Sequence, residues 1–293
     1  MNYTQRVNLS NFITRKHPLK NGAAGLRHYK NKIGNHKINM KKRTIGIMGA
    51  MPEEIDGIVH LLTNCREVSM GKRTYYSGQL NGIDTVVVFS RWGKVAAATT
   101  ATTLIHEFRI TELLFTGVAG AIHSDLKIGD IVIGRRLIQH DMDARPLMKQ
   151  YEIPLLSKTY FESDASHLAI ASKAISTLIE SKNLHAVIGD ANRAEFGISQ
   201  PSLYIGDIAS GDQFFSGNEQ KHSLHSQLPD VLCVEMEGAA VAQVCYEYEI
   251  PFSIIRTISD TADDQSQNDF PSFIKKISSK YAAEIIKNIY RQL

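Results

Sequence analysis

The segment Val234-Glu235-Met236-Glu237-Gly238-Ala239-Ala240 sets two carboxylates, Glu235 and Glu237, between the end of an apolar run (231–234) and the start of a helix-like one. Further on, a β-branched run over 253–258 delivers Ser259 and Asp260 at its own end. Side chains at the C-terminal ends of neighbouring strands are where open α/β sheets bind ligands. Cleavage of an N-glycosidic bond requires a general acid and a carboxylate able to grip a sugar diol. Each segment alone has a plainer account, a helix N-cap in one case and a surface turn in the other. A third segment, Thr44-Ile45-Gly46-Ile47-Met48-Gly49-Ala50-Met51, reads as a buried strand, and Pro52-Glu53-Glu54-Ile55 then opens a helix. Proline at the first helical position and acids in the first turn are ordinary start signals, so Glu53 and Glu54 need no chemistry to explain them.

The elements that must position these residues alternate along the chain. Residues 45–48, 85–89, 112–116, 130–133, 203–209, 231–234 and 252–258 are short, apolar and β-rich. Helical patterns run over 53–62, 94–108, 166–181, 237–248 and 270–291. Buried strands alternating with helices predict an α/β fold with a mixed, largely parallel sheet and helices outside it. Residues 139–159 lack periodicity and carry His140-Asp141-Met142-Asp143, which reads as a polar loop rather than a metal site.

Composition fits one large domain: 293 residues, 43% hydrophobic and 22% charged. No apolar run approaches the roughly 18 residues that span a membrane. Cys65, Cys233 and Cys245 have no metal-binding spacing and read as reduced thiols. The net charge of +3 is unevenly placed. Before the first acid, Glu53, lie eleven Lys and Arg residues, leaving 22 basic against 30 acidic residues in the rest. The globular part is therefore acidic, and the basic excess is no sign of nucleic-acid binding. Residues 1–40 read as a disordered leader, either an organellar presequence or, as favoured here, the product of an upstream start codon before Met40-Lys41-Lys42-Arg43. The second reading makes the protein cytoplasmic.

From about Arg43 to the C-terminus the chain resembles the 5′-methylthioadenosine/S-adenosylhomocysteine nucleosidases of the purine nucleoside phosphorylase superfamily. The resemblance is carried by Gly-Ala-Met-Pro-Glu-Glu (49–54), Gly-Lys-Val-Ala-Ala-Ala (93–98), Thr-Gly-Val-Ala-Gly-Ala (116–121), Ile-Gly-Asp-Ile-Val (128–132), Ser-Gly-Asp-Gln-Phe-Phe (210–215), Val-Glu-Met-Glu-Gly-Ala-Ala (234–240) and Arg-Thr-Ile-Ser-Asp (256–260). It implies a three-layer α/β/α nucleoside phosphorylase-like fold over residues 41–293, a homodimer, and hydrolysis without cofactor or metal. Asp260 then resembles the general acid that protonates the purine, Glu54 the residue that activates water, and Glu237 the one that binds the ribose hydroxyls. Arg256 and Glu235 would hold these carboxylates in place, although an ion pair of purely structural value fits both equally. Phe214, Phe215, Ser259, Ala119 and Gly120 would form the base pocket. Met51 and Met236 would pack on the ribose and 5′ substituent, and Phe270 is a further candidate for substrate contact. Core packing is the alternative for Met51 and Phe270.

Three departures bear on specificity. Ser90-Arg91-Trp92-Gly93-Lys94 stands where the family commonly has Ser-Gly-Ile-Gly-Lys, placing Trp92 on the 5′ side and an additional cation, Arg91, beside it. Val118 replaces a frequent serine, and Leu147 falls where the family has an aromatic that reaches into the neighbouring subunit. The substrates implied are methylthioadenosine, S-adenosylhomocysteine and 5′-deoxyadenosine. The alternatives are hydrolysis of a related nucleoside such as aminofutalosine, phosphorolysis, and catalytically silent purine binding. A glutamate in the first turn repels a phosphate dianion and suits water, which favours hydrolysis over phosphorolysis.

Overall fold

Side chains of residues 44–49 alternate between two apolar layers, which makes this stretch a central strand. It forms β1 (Thr44–Gly49), with Ile45 and Ile47 in one buried cluster and Met48 in the other. A Cβ on Gly46 would lie 2.9 Å from Ile110 Cδ1, so the strand packs too closely there for any side chain. Helix α1 (Pro52–Val59) covers the first face through Ile55 and Ile58. After the hairpin of β2 (Thr63–Met70) and β3 (Arg73–Leu80) come β4 (Ile83–Phe89) and helix α2 (Lys94–His106), which covers the second face. The computed structural model describes residues 42–264 and 266–293. The expectation of a disordered leader over residues 1–40 lies outside the described residues.

The chain continues through β5 (Glu112–Ala121), β6 (Ile131–Gln139), β7 (Tyr160–Glu162) and helix α3 (Ala165–Glu180), which packs in the same layer as α1. Short helices α4 (Asn183–Ile188) and α5 (Asp190–Glu195) flank Gly189. Then follow β8 (Leu203–Ser210), α6 (Asn218–Gln227), β9 (Val231–Glu235), α7 (Gly238–Glu247) and β10 (Phe252–Asp260). The predicted helix over 270–291 is three pieces: the end of α8 (Ser266–Phe273), a π-helical turn (Ile274–Ser278) and α9 (Ser279–Tyr290).

All the strands join one mixed sheet with helices on both faces, the α/β architecture expected. β1 lies between β4 and β5, parallel to both. Beyond β5 the sheet closes on itself. β5 pairs parallel to β10, β10 antiparallel to β6, β6 parallel to β8, β8 parallel to β9, and β9 antiparallel to the end of β5. This ring of five strands, with β1, β4, β3 and β2 as an open arm, is a feature the linear pattern did not predict. A bulge between Ile258 and Asp260 brings Asp260 opposite Gly120. The α2–α7 side is built from small residues, among them Ala97, Ala101, Ala239 and Ala242, so these helices approach closely.

The N-terminal end of β5 is secured by a charged cluster. Glu112 is 6% exposed and accepts bonds from Arg43 Nε (2.5 Å) and Arg43 Nη2 (3.0 Å). His167 Nε2 lies 2.7 Å from the same carboxylate, and its Nδ1 lies 3.1 Å from Asp164, the N-cap of α3. Bonding to Glu112 raises the His167 pKa against the effect of burial, so the imidazolium form donates from both nitrogens. Burial opposes charge on Glu112, but His167 and Arg43 overcome it and hold the carboxyl at about 2. A histidine whose folded pKa is raised contributes full stability below its usual 6.5, and loses it as pH rises through the folded value. His167→Ala is therefore expected to cost about 2 kcal/mol in urea unfolding near pH 6 and distinctly less near pH 9. An equal cost at both pH values refutes the charged form.

Candidate active site

The C-terminal ends of β1, β5 and β10 open on one cleft. At the first of these, Met51 is the N-cap of α1 and Pro52 occupies the first helical position. Glu53 points to solvent, whereas Glu54 is 1% exposed. Glu54 Oε2 accepts from the backbone N–H of Ala50 (2.5 Å) and Met51 (3.1 Å), and Oε1 from Val118 N–H (3.1 Å). The side chain thus bridges the β1 turn to β5, which explains why Gly117 lacks a Cβ: one there would lie 2.9 Å from Glu54 Oε1. Burial raises the Glu54 pKa, while Arg256 and the three N–H groups pull it back.

Glu235 and Arg256 form the most buried ion pair at the site, their side chains 3% and 2% exposed. Arg256 donates to Glu235 Oε2 from Nε (3.2 Å) and Nη2 (2.6 Å). Its Nη1 donates to the carbonyls of Phe115 (3.3 Å) and Ile255 (3.2 Å), and its guanidinium lies 4.1 Å from the Phe115 ring centroid. Glu235 also accepts from Ser210 Oγ and from the N–H groups of Glu237 (3.2 Å) and Gly238 (2.8 Å). It borders the cleft, yet its acceptor positions are filled by protein donors.

Glu237 is different. Oε1 accepts Gly93 N–H (2.8 Å), and the side chain, 5% exposed, lines the cleft. Burial, then the Glu235 charge, push its pKa up to about 8, against the pull of Gly93 and Arg256. Asp260 Oδ2 accepts from Ser259 Oγ (2.8 Å) and Oδ1 from Ala262 N–H (2.9 Å). Burial raises the Asp260 pKa as well; bonds from Ser266, Ala262 and Ser259 oppose this and Asp269 adds to it.

Every predicted site residue borders this cleft except Arg256, which stands behind Glu235. Ala119, Gly120 and Ser259 line one end with Asp260, and Met51 and Met236 lie among the acids. At the mouth, Phe270 packs edge-on to Phe214 (5.3 Å between centroids) and Trp92 (6.4 Å). Phe215 is buried behind them, edge-on to His140 at 5.3 Å. Sequence reasoning missed Ala50, Gln213 and Val234, which line the cleft beside motif residues. Neighbourhood in the same motifs was the signal that pointed to them. Arg91 is turned away, with a left-handed backbone (φ 74°) and its guanidinium on the Lys72 carbonyl. Leu147 is exposed and outside the cleft. Among the described residues lining the cleft, Glu54, Glu235, Glu237 and Asp260 are the acidic ones and no lysine or arginine joins them.

Comparison with known proteins accords with this geometry. The family model described as the Phosphorylase superfamily matches residues 44–291. A 5′-methylthioadenosine/S-adenosylhomocysteine nucleosidase of Shewanella denitrificans is 35% identical over 244 residues, covering 83% of this chain and 96% of the relative. An aminodeoxyfutalosine nucleosidase of Helicobacter pylori is 34% identical, covering 85% of this chain and 99% of the relative. The solved structure of a 5′-methylthioadenosine/S-adenosylhomocysteine nucleosidase of Colwellia psychrerythraea with adenine superposes with a TM-score of 0.76 at 30% identity, covering 86% of this chain and 96% of that one. The chain belongs to the phosphorylase superfamily and, within it, to the 5′-methylthioadenosine/S-adenosylhomocysteine nucleosidase family. It is a purine nucleosidase, an enzyme that hydrolyses N-glycosidic bonds.

Removing one member of a buried ion pair leaves the other uncompensated. Arg256→Met is expected to cost about 3–5 kcal/mol in denaturant unfolding, far more than loss of an exposed pair. A cost below about 1 kcal/mol means that Glu235 finds another partner.

Proposed function

We propose that this nucleosidase hydrolyses 5′-methylthioadenosine, S-adenosylhomocysteine and 5′-deoxyadenosine, releasing adenine in methionine salvage, and that it does so in the cytoplasm as a homodimer. The observation that carries this reading is the convergence of Glu54, Glu237 and Asp260, all buried and all with raised pKa values, on a cleft lined by no cationic side chain among the described residues. A phosphate dianion finds no partner in such a lining, whereas water does.

Asp260, whose pKa burial raises, donates its proton to N7 of the purine. The C1′–N9 bond breaks with its electron pair moving to the base, so adenine leaves neutral. The ribosyl cation left behind is stabilised by the surrounding carboxylates. Glu237 bonds the ribose hydroxyls. Water adds at C1′ and yields its proton to Glu54, a base whose raised pKa suits the task. Phe214 and Phe215 stack on and read the base together with Ser259, Ala119 and Gly120. Met51 and Met236 contact the ribose, and Trp92 and Phe270 meet the 5′ substituent. Arg256 and Glu235 act through the residues they hold. A related nucleoside of aminodeoxyfutalosine type is the second reading, favoured by the comparable similarity of the Helicobacter pylori enzyme.

Adenine release from methylthioadenosine by the purified protein is expected to be independent of added phosphate; release only with phosphate overturns hydrolysis. Asp260→Asn is expected to lower kcat by roughly 10²–10⁴-fold while adenine binding persists. Near-normal turnover by that variant removes Asp260 from the role of acid. Because the acid must carry its proton, kcat is expected to fall as pH rises through the raised Asp260 pKa, and a flat alkaline limb contradicts the mechanism.

A further inference from the structure

The polar run that opens at His140 takes no part in the chemistry above, nor does Lys94 of the glycine-lysine motif. The structure joins them. Asp141 Oδ1 accepts Lys94 Nζ (2.5 Å), and Asp141 Oδ2 accepts Asp212 N–H (3.0 Å). Asp212 Oδ1 in turn accepts Lys94 N–H (2.8 Å), and its Oδ2 lies 3.8 Å from Lys94 Nζ. Three loops meet here: the turn into α2, the loop after β6 and the loop after β8.

Both outer members lead directly to substrate-facing groups. One residue before Lys94, Gly93 N–H holds Glu237 (2.8 Å). Just after Asp212, the same loop carries Phe214 and Phe215 into the cleft. His140 braces this loop from beneath: its N–H donates to the Ser210 carbonyl (3.0 Å) and its ring packs edge-on to Phe215. The fit is tight, since a Cβ on Gly211 would lie 2.2 Å from His140 Nε2.

The ammonium of Lys94 stands between two carboxylates on facing loops, which would repel each other without it. The Lys94 side chain is 16% exposed and that of Asp141 29%, and the contact joins residues 47 apart in the chain. Burial opposes charge on Asp141, but the bonds from Lys94 and Asp212 outweigh it and keep the carboxyl ionised.

We propose that Lys94 and Asp141 are positioning residues, a clasp that fixes the 211–215 base-binding loop to the helix N-terminus holding the ribose carboxylate. Base affinity and the placement of Glu237 are then set together. The role assigned to these loops rests on the nucleosidase reading; the clasp itself does not.

The test compares the full chain with Lys94→Met, Asp141→Ala and their double variant. Asp141→Asn, which keeps shape and an acceptor for Asp212 N–H, serves if the alanine variant folds poorly by thermal melting. Backbone hydrogen exchange in the ligand-free protein is read over 91–98 and 211–217. Adenine Kd, KM and kcat are measured alongside. Either single substitution is expected to speed exchange in both stretches and to raise KM and adenine Kd about tenfold, with kcat changed much less. The double variant should be no worse than the worse single one. Exchange altered only at the mutated stretch, with adenine Kd within about twofold of the parent, or effects that multiply in the double variant, overturns the clasp. If the parent protein neither binds nor releases adenine, the nucleosidase reading fails, while exchange at 211–217 in Lys94→Met still decides the clasp.

Discussion

The buried pair of Arg256 and Glu235 is the interaction on which the rest of the site depends. Taking two charges out of water is costly, and the cost is offset only where every donor and acceptor finds a partner. Here Arg256 bonds Glu235 and two carbonyls and lies against Phe115. Glu235 gathers Ser210 and the first N–H groups of α7. One pair therefore ties β10 to the ends of β8 and β9. It also sets the electrostatics, because the Glu235 charge helps raise the Glu237 pKa while Arg256 lowers those of Glu237 and Glu54.

Closure of the sheet is what brings these charges together. Arg256 sits in register between Gly117 of β5 and Val132 of β6, inside the ring. Gly117 leaves space for both guanidinium and carboxylate, since a Cβ there would lie 3.2 Å from Arg256 Nη1 and 2.9 Å from Glu54 Oε1. A glycine needed for close approach, rather than for a turn, thus connects the strand holding the cation to the helix holding Glu54.

Much of this could be read from the residues because local rules and chemistry agreed. Apolar runs over 112–116 and 252–258 are buried strands, and the acids after 231–234 and 252–258 do reach one cleft. Other features lacked a local signal. β2 is almost wholly exposed and has no apolar alternation, and α6 buries only Leu224. The antiparallel join of Gly120 to Val234 and Ala121 to Cys233 depends on partners far apart in the chain. Nor does spacing separate Glu235 from Glu237, two residues apart on one turn: one is enclosed by donors, the other keeps room toward the cleft.

The ring also orders events in time. Glu54 and Val118 are 64 residues apart, while the bond from Arg256 to Phe115 spans 141. Closing such long loops is slow and must follow synthesis of the distal partner. On a ribosome the open arm is made well before β10, whereas α1 packs on α9, Gly57 N–H donating to Ser279 Oγ (2.9 Å), and so waits for the C-terminus. Until β10 is made, Glu54 lacks Arg256, whose charge lowers its pKa. Asp260 and Arg256 arrive on the same strand, so the partner of Glu235 and the carboxyl beside Gly120 reach the cleft together, late in synthesis.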